Sequence, residues 1–510
     1  MQDVVDLLQR RAAEKPHETQ LVWEPLDGEG REWTRAGLLA DVQSLAARMD
    51  RMGVRQGDKV MLYANNCPEL VIAWFACAWL GATSALINPK STADELAYFA
   101  GHLGASGLIW QDGLAARPDP EKLGIPWSLP MSDVLEAEGD RAGNVPGLPA
   151  ASVDPAAPAF MLFTSGTTSR PKAVIWSREN VAWAASSGSR ISTLTAADVA
   201  LLFVPLYHIV GLAWTLLPAL YAGARIVLLP RFSGTHFWRV ALKTKATFAA
   251  HVQFSTAALA RLPVPDFHHF RLWCNSTWLP EYEAYFRVPI VGWWGMTEMV
   301  APGIVGKVGR AQTAGSIGAA AEGYALRIAG TGRDSLGAGD AGELEVKGIR
   351  GKTIFSGYYR NPSADDAAFT DDGWFRTGDR VRVHNDGSVQ FIERSRDVIK
   401  TGGEGVSPAE VERLIRQVPG VSDVAVVGRP DLVMGEVGVA FVVLHYTGME
   451  SGPVIEAAQK LCAERLAKFK VPREFRVIDR LPLAGINKVA KGELRRIALI
   501  QPVAAPTNGA

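Results

Sequence analysis

The decapeptide FTSGTTSRPK, residues 163–172, sets five hydroxyl side chains, a glycine and a lysine into ten positions directly after the apolar run AFML at 159–162. Backbone N–H groups of small residues, flanked by hydroxyls, form a concave nest that suits a multiply charged anion. Gly166 lets a ligand approach the backbone closely, and Lys172 adds a point charge at the rim. A polar turn from a strand into a helix uses the same residue types, so the loop alone leaves both readings open. It is not a Walker A loop, because no second glycine precedes the lysine at the required spacing.

Five further motifs follow along the chain: PLYH at 205–208, GWWGMTE at 292–298, GWFRTGD at 373–379, RSRDVIKTGGEGVSPAEVE at 394–412 and NKV at 487–489. Together with the loop they span almost the whole chain. In type and order they resemble the signatures of the adenylate-forming (ANL) superfamily of acyl- and aryl-CoA ligases, peptide-synthetase adenylation domains and luciferases. PLYHIVGL and the terminal INKV are most similar to benzoate- and halobenzoate-type CoA ligases. The resemblance implies an α/β fold: a large N-terminal domain of two doubly wound sheets plus a distorted β-barrel, and a small mobile α+β C-terminal lid. Residues 1–395 and 396–510 would be the two domains, with a hinge at Arg396.

The resemblance also implies two half-reactions. A carboxylate attacks the α-phosphorus of ATP, giving acyl-AMP and pyrophosphate, and the thiol of coenzyme A then displaces AMP. Both reactants of the first step are anionic, so the site must neutralise charge and align attacker with leaving group. By motif position, Thr164, Ser165, Gly166, Thr167, Thr168 and Lys172 would hold the β,γ-phosphates. Thr297 would donate to the α-phosphate and Glu298 would hold Mg2+. Trp293, Trp294 and Gly295 would border the nucleotide, with Trp294 where the family stacks adenine, usually on a smaller tyrosine. Asp379 would accept from the ribose hydroxyls, and Arg394 would approach the ribose and phosphates. Lys488 would bridge the carboxylate and α-phosphate as charge builds. Rotation about Arg396 would then withdraw Lys488 and present Gly402, Gly403 and Glu404 as part of a pantetheine tunnel, with Lys470 and Arg473 meeting the nucleotide end of coenzyme A.

His208, Trp214, Asn275, Ser276, Trp278, Gly295 and Met296 fall where the family has its acyl pocket, with His208 able to gate it. The clustering of Trp214, Trp273, Trp278 and Trp293 suggests a ring-accepting pocket with few fixed polar groups, hence a hydrophobic, cyclic or aromatic carboxylic acid. No acidic residue is evident there to hold an amino group, which argues against amino-acid adenylation. Arg396 departs from the Asp or Lys usual at the hinge, and two further departures lie around ATP and the acyl-adenylate. Ser169 replaces a glycine, and the NST turn at 275–277 contains none. These departures leave room for a variant that only transfers a preformed acyl-AMP to coenzyme A, or for a catalytically decayed binding or regulatory protein. A luciferase-like oxygenase has no positive sign in the sequence, and a carrier-protein thiol could replace coenzyme A.

The elements that must position these residues are legible from pattern. Short apolar runs at 59–63, 84–87, 199–203 and 224–229 alternate with helical stretches, which predicts parallel α/β layers. Residues 70–87 carry no charge, yet Gly81 divides them and Asn88-Pro89 ends them. A buried helix, a glycine cap and a buried strand are expected, rather than a membrane span. From about Gly315, glycines punctuate short strands at 342–346 and 388–392, predicting an antiparallel or barrel-like subdomain. Beyond it a compact α+β pattern is expected, with helices near 407–417 and 453–466 and a strand at 424–427. A length of 510 residues implies two to four folded units. Basic and acidic residues balance at 53 each, which favours neither nucleic acid nor an anionic membrane. Cys67, Cys77, Cys274 and Cys462 are too sparse for a disulfide framework, and the N-terminus MQDVVDLLQRRAAEKP is charged and amphipathic rather than signal-like. A cytoplasmic enzyme is expected, with a homo-oligomer left open.

Overall fold

The uncharged stretch at 70–87 resolves into a helix, Pro68–Trp79, then Gly81 at φ +71°, then a strand, Thr83–Ile87. Proline in the first turn suits the helix start, and the left-handed glycine reverses the chain at no Cβ cost. The helix is apolar nearly all round because its neighbours are protein on every side. In the computed structural model, which describes residues 3–135, 148–164, 171–309, 312–394, 398–445, 450–484 and 488–500, no helix is long and apolar enough to cross a membrane. Glu393, Arg394, Leu483, Ala484 and Lys488 are described by backbone alone. The chain divides into two units: Met1–Thr164 with Lys172–Ser395, and Ser165–Pro171 with Arg396–Ala510.

The larger unit holds two sheets. One has seven strands, ordered Gly357–Tyr358, Lys172–Ser177, Pro158–Thr164, Thr83–Ile87, Lys59–Tyr63, Gly107–Trp110 and Trp127–Pro130. The last five run parallel; Lys172–Ser177 pairs antiparallel with Pro158–Thr164, and Gly357–Tyr358 pairs antiparallel with Lys172–Ser177. Lys59–Tyr63 shows why such strands read as continuous apolar runs. Val60 and Leu62 enter a central core shared with the second sheet, while Met61 and Tyr63 enter a separate core with Leu96, Phe99 and Leu103 of the helix Ala93–Leu103.

The second sheet has thirteen strands. Thr19–Trp23, Arg225–Leu228, Val199–Leu202, Phe248–Ala250, Leu272–Asn275 and Ile290–Trp294 form its parallel part, edged by antiparallel Arg31–Thr34. Beyond Ile290–Trp294 every pairing is antiparallel, through Ile304–Val305, Ser316–Ala320, Val389–Arg394, Phe375–Val383 and Ala341–Lys347 to Ala325–Ile328. The glycine-punctuated strands are therefore an antiparallel extension of the second sheet.

The smaller unit is α+β. Its five-stranded sheet is built from Glu404–Val406, Ile399–Thr401, Gly435–Leu444 and Val421–Asp431, with Glu474–Val477 parallel to Gly435–Leu444. Residues of Pro408–Ile415 and Ser451–Arg465 join one apolar core, and residues of Lys491–Leu499 join another. The strand expected at 424–427 runs the full length of Val421–Asp431, because its polar outer residues pair along the whole of Gly435–Leu444.

Candidate active site

The phosphate-type loop lies between two paired strands. Thr164 ends Pro158–Thr164, Lys172 opens Lys172–Ser177, and the two residues are register partners. The chain after the loop thus continues as a strand, not a helix. Ser165, Gly166, Thr167, Thr168 and Ser169 lie outside the described residues, as does Arg396.

Around Gly295–Glu298 the backbone leaves the sheet at the end of Ile290–Trp294 and is held by residues the motifs did not mark. The indole of Trp176 donates to the carbonyl of Thr297 at 2.9 Å. The phenol of Tyr358 donates to Oε1 of Glu298 at 2.7 Å, and the N–H of Phe355 donates to the Glu298 carbonyl at 2.9 Å. Lys172 places its ammonium 4.5 Å from the centre of the Tyr358 ring. One tyrosine therefore connects the loop lysine with the buried glutamate. Asn66 does a similar service for the PLYH segment: its amide donates to the carbonyls of Val204 and Leu229 and accepts from the N–H of Leu206.

Asp379 is buried, 1% exposed, and stands opposite Arg394 in the antiparallel register. Its N–H donates to Thr377 Oγ1 at 3.0 Å, and its Oδ2 accepts from the indole of Trp294 at 2.9 Å. Three strands separate Ile290–Trp294 from Phe375–Val383 in the sheet order, which in a flat sheet means about 19 Å. The direct side-chain bond shows that the antiparallel extension curls back on itself.

Trp214 is buried and meets Trp293 edge-to-face at 5.0 Å. A Cβ on Gly295 would come within 2.7 Å of the Trp214 ring, so the glycine here is a packing requirement. Met296 packs on the same core, and His208 precedes the short helix Ile209–Gly211 with its ring 4.6 Å from that of Tyr207. At the glycine-free turn, Asn275 Oδ1 accepts from the N–H of Ser276 at 2.9 Å and from the hydroxyl of Thr256 at 3.1 Å. A side-chain amide thus shapes the turn where the family pattern uses glycine.

Two expectations need correction. The tryptophans do not form one cluster. Trp273 is packed among Phe237, Phe270 and Phe286, and Trp278 donates to Glu283 at 2.8 Å against that same second core. Successive residues of Leu272–Asn275 point to opposite faces, which sends Trp273 away from the Trp214 side. Lys470 is likewise not presented to solvent. It is 7% exposed, with its ammonium 3.0 and 3.1 Å from the two oxygens of Glu410. A buried ammonium requires such a partner. Arg473 is exposed. Gly402 and Gly403, at φ +60° and +89°, turn the chain between Ile399–Thr401 and Glu404–Val406, and Glu404 is buried. The Lys488 backbone pairs with Ala484 in a short hairpin.

Among the described residues no three His, Cys, Asp or Glu side chains gather as a metal cage. A single buried carboxylate such as Glu298 suits Mg2+, which keeps waters and substrate phosphates as its other ligands. All four cysteines are buried and free, and burial raises their thiols, Cys77 to about 12 and Cys462 to about 11. None is poised as a nucleophile.

Residues 8–359 match the family model described as AMP-binding enzyme, and residues 410–488 match that of the AMP-binding enzyme C-terminal domain. The chain belongs to the AMP-binding enzyme family. Its relatives include the crotonobetaine/carnitine–CoA ligases of Proteus mirabilis and Salmonella paratyphi A, 32% and 31% identical over 502 residues, covering 94% of this chain and 96% of theirs. Among solved structures it resembles a double mutant of o-succinylbenzoate CoA synthetase from Bacillus subtilis bound with its product analogue. That match has a TM-score of 0.83 and 27% identity, and covers 96% of this chain and 98% of the other. This AMP-binding enzyme is an adenylate-forming acid–CoA ligase using ATP, Mg2+ and coenzyme A. The family motifs locate Thr297, Glu298 and Asp379 in the sequence. Trp176, Tyr358, Asn66 and Thr256, which hold the site and the strand ends around it, carry no motif and are recognisable from contacts alone.

Proposed function

We propose that this ligase activates a hydrophobic, ring-bearing carboxylic acid as its acyl-AMP and passes the acyl group to coenzyme A. The reading rests above all on the buried, hydrogen-bonded set formed by Glu298 with Tyr358 and Asp379 with Trp294. Donors and carboxylates already held in place do not reorganise as the reaction charge develops.

In the first step a carboxylate oxygen of the substrate forms a bond to the α-phosphorus, and the bond to pyrophosphate breaks. Thr297 donates from its hydroxyl to an α-phosphate oxygen, its main chain held by Trp176. Glu298 holds Mg2+, which when bound neutralises phosphate charge. Lys172 and the loop before it meet the β,γ-phosphates, Asp379 takes the ribose hydroxyls with Arg394 nearby, and Lys488 bridges attacker and phosphate. In the second step the sulfur of coenzyme A attacks the acyl carbon and AMP leaves. Gly402, Gly403 and Glu404 line the pantetheine path and Arg473 meets the nucleotide end. The division between the two units at Ser395 and Arg396 supports Arg396 as the hinge between domains 1–395 and 396–510. Four free thiols support a reducing, cytoplasmic setting.

The acyl side is read from Trp214, Trp293, Met296 and His208, with Gly295 where the Trp214 ring packs directly on the backbone. A second reading draws on the crotonobetaine/carnitine–CoA ligases, since aromatic faces also receive a quaternary ammonium. A panel of acids with ATP, Mg2+ and coenzyme A, scored separately for acyl-AMP and acyl-CoA by mass, tests both. Aryl and alicyclic acids should give both products. Turnover confined to quaternary-ammonium acids would replace the first reading with the second, and acyl-CoA formed solely from supplied acyl-AMP would remove adenylation.

A further inference from the structure

Trp294 stands where the family uses a smaller aromatic ring, and the residue is 8% exposed. Within the central apolar core its ring edge makes a polar contact: Nε1 donates to Asp379 Oδ2 at 2.9 Å, with both residues buried. We propose that Trp294 is a positioning residue for Asp379 and thereby sets the ligase's preference for a ribonucleotide. The inference rests on the reading above, in which Asp379 receives the ribose hydroxyls.

The backbone of Asp379 is already tied by its N–H to Thr377 Oγ1, and that hydroxyl donates in turn to the Leu344 carbonyl at 2.7 Å. The carboxylate's rotation is a broad torsion with no strong preference of its own. A donor aimed at one oxygen selects one orientation. Accepting from two adjacent hydroxyls requires a fixed orientation, because each acceptor must lie within about 3 Å of its donor at a favourable angle. Tyrosine and phenylalanine lack a ring-edge N–H at this place, so tryptophan contributes a function that ring stacking does not.

The test uses the full-length enzyme and measures acyl-AMP formation with ATP and with 2′-deoxy-ATP. Trp294→Phe keeps an aromatic face and deletes the N–H. The KM for ATP should rise about tenfold, the size of losing a hydrogen bond to a charged group, while that for 2′-deoxy-ATP changes by less than about twofold. The preference for ATP then falls several-fold, and kcat holds within about twofold. Asp379→Asn should erase the same preference and leave nothing further for Trp294→Phe to remove in the double variant. Should Trp294→Phe fail to fold, benzothienylalanine incorporated at position 294 keeps the ring shape with sulfur in place of the N–H and decides the matter. Equal losses for both nucleotides would reduce Trp294 to a stacking surface and overturn the inference while leaving the ribose role of Asp379 intact. A wild-type preference in Asp379→Asn would overturn that role as well.

Discussion

Two pairs of buried carboxylates in this ligase, one pair in each unit, are held in different ways. In the large unit Glu298 and Asp379 accept from neutral donors, the Tyr358 phenol and the Trp294 indole. A neutral donor orients a carboxylate and leaves its net charge in place for a metal or a sugar hydroxyl. In the small unit Glu410 is paired with Lys470 and Glu412 with Lys491 at 2.8 Å, so charge there meets opposite charge. On the proposed roles of Glu298 and Asp379, the difference separates a site built to receive a ligand from a frame built to hold itself together. Net charge and motif position do not distinguish the two.

The comparison breaks hardest at Lys488, the small-unit cation proposed to act on the nucleotide. Lys488→Ala should lower acyl-AMP formation by about 10²- to 10³-fold, as deletion of one transition-state donor does. Thioester formation from supplied acyl-AMP should fall far less, and equal losses in both steps would end the assignment. Next is Glu410→Ala, which removes the carboxylate facing a buried ammonium at 3.0 and 3.1 Å. The small unit should lose about 3–5 kcal/mol in urea melts. Lys470→Met should leave the KM for coenzyme A near its wild-type value, because this lysine is committed to Glu410; a large rise would return it to the thiol substrate's path.

Arg473→Ala sharpens the contrast from the other side. An exposed cation should contribute about three- to tenfold to the KM for coenzyme A, more at low ionic strength, with the melting temperature unchanged. The smallest effect is a pH dependence. Burial raises the Asp198 carboxyl, but bonds from Arg271, Thr247 and Thr195 outweigh it and leave the group below its ordinary range. A carboxyl lowered in the folded state stabilises fully above about pH 4 and loses that contribution as pH falls further. The stability difference between wild type and Asp198→Asn should therefore shrink in melts taken from pH 6 down to pH 3. A difference that grows on acidification would reverse the sign.

Much of the frame was legible because local pattern and tertiary demand agree. Past Lys59, the run at 59–63, like that at 199–203, is apolar along its length, as a strand covered on both faces must be, and the two form Lys59–Tyr63 and Val199–Leu202. Gly81 marks the break between helix and strand through a backbone angle few other residues tolerate. The tryptophans misled for a related reason. Nearness in sequence says nothing about which side of a sheet a ring takes, and Trp273 and Trp214 joined different cores. Lys470 misled because a lysine in a basic strip has the same sequence signature whether it faces solvent or a buried carboxylate.

The order of residues was enough for the family and the chemistry and to mark Thr297, Glu298 and Asp379 as candidates, because residue types at set spacing are linear information. Only the tertiary structure decided who holds them. Trp176, Tyr358 and Trp294 come from strands far apart in the chain or separated in the sheet order, and they meet Thr297, Glu298 and Asp379 because the layers pack and the antiparallel extension curls. Hydrogen bonds act over about 3 Å. Which donors come that close is a property of the folded chain and has no trace in the order of its residues.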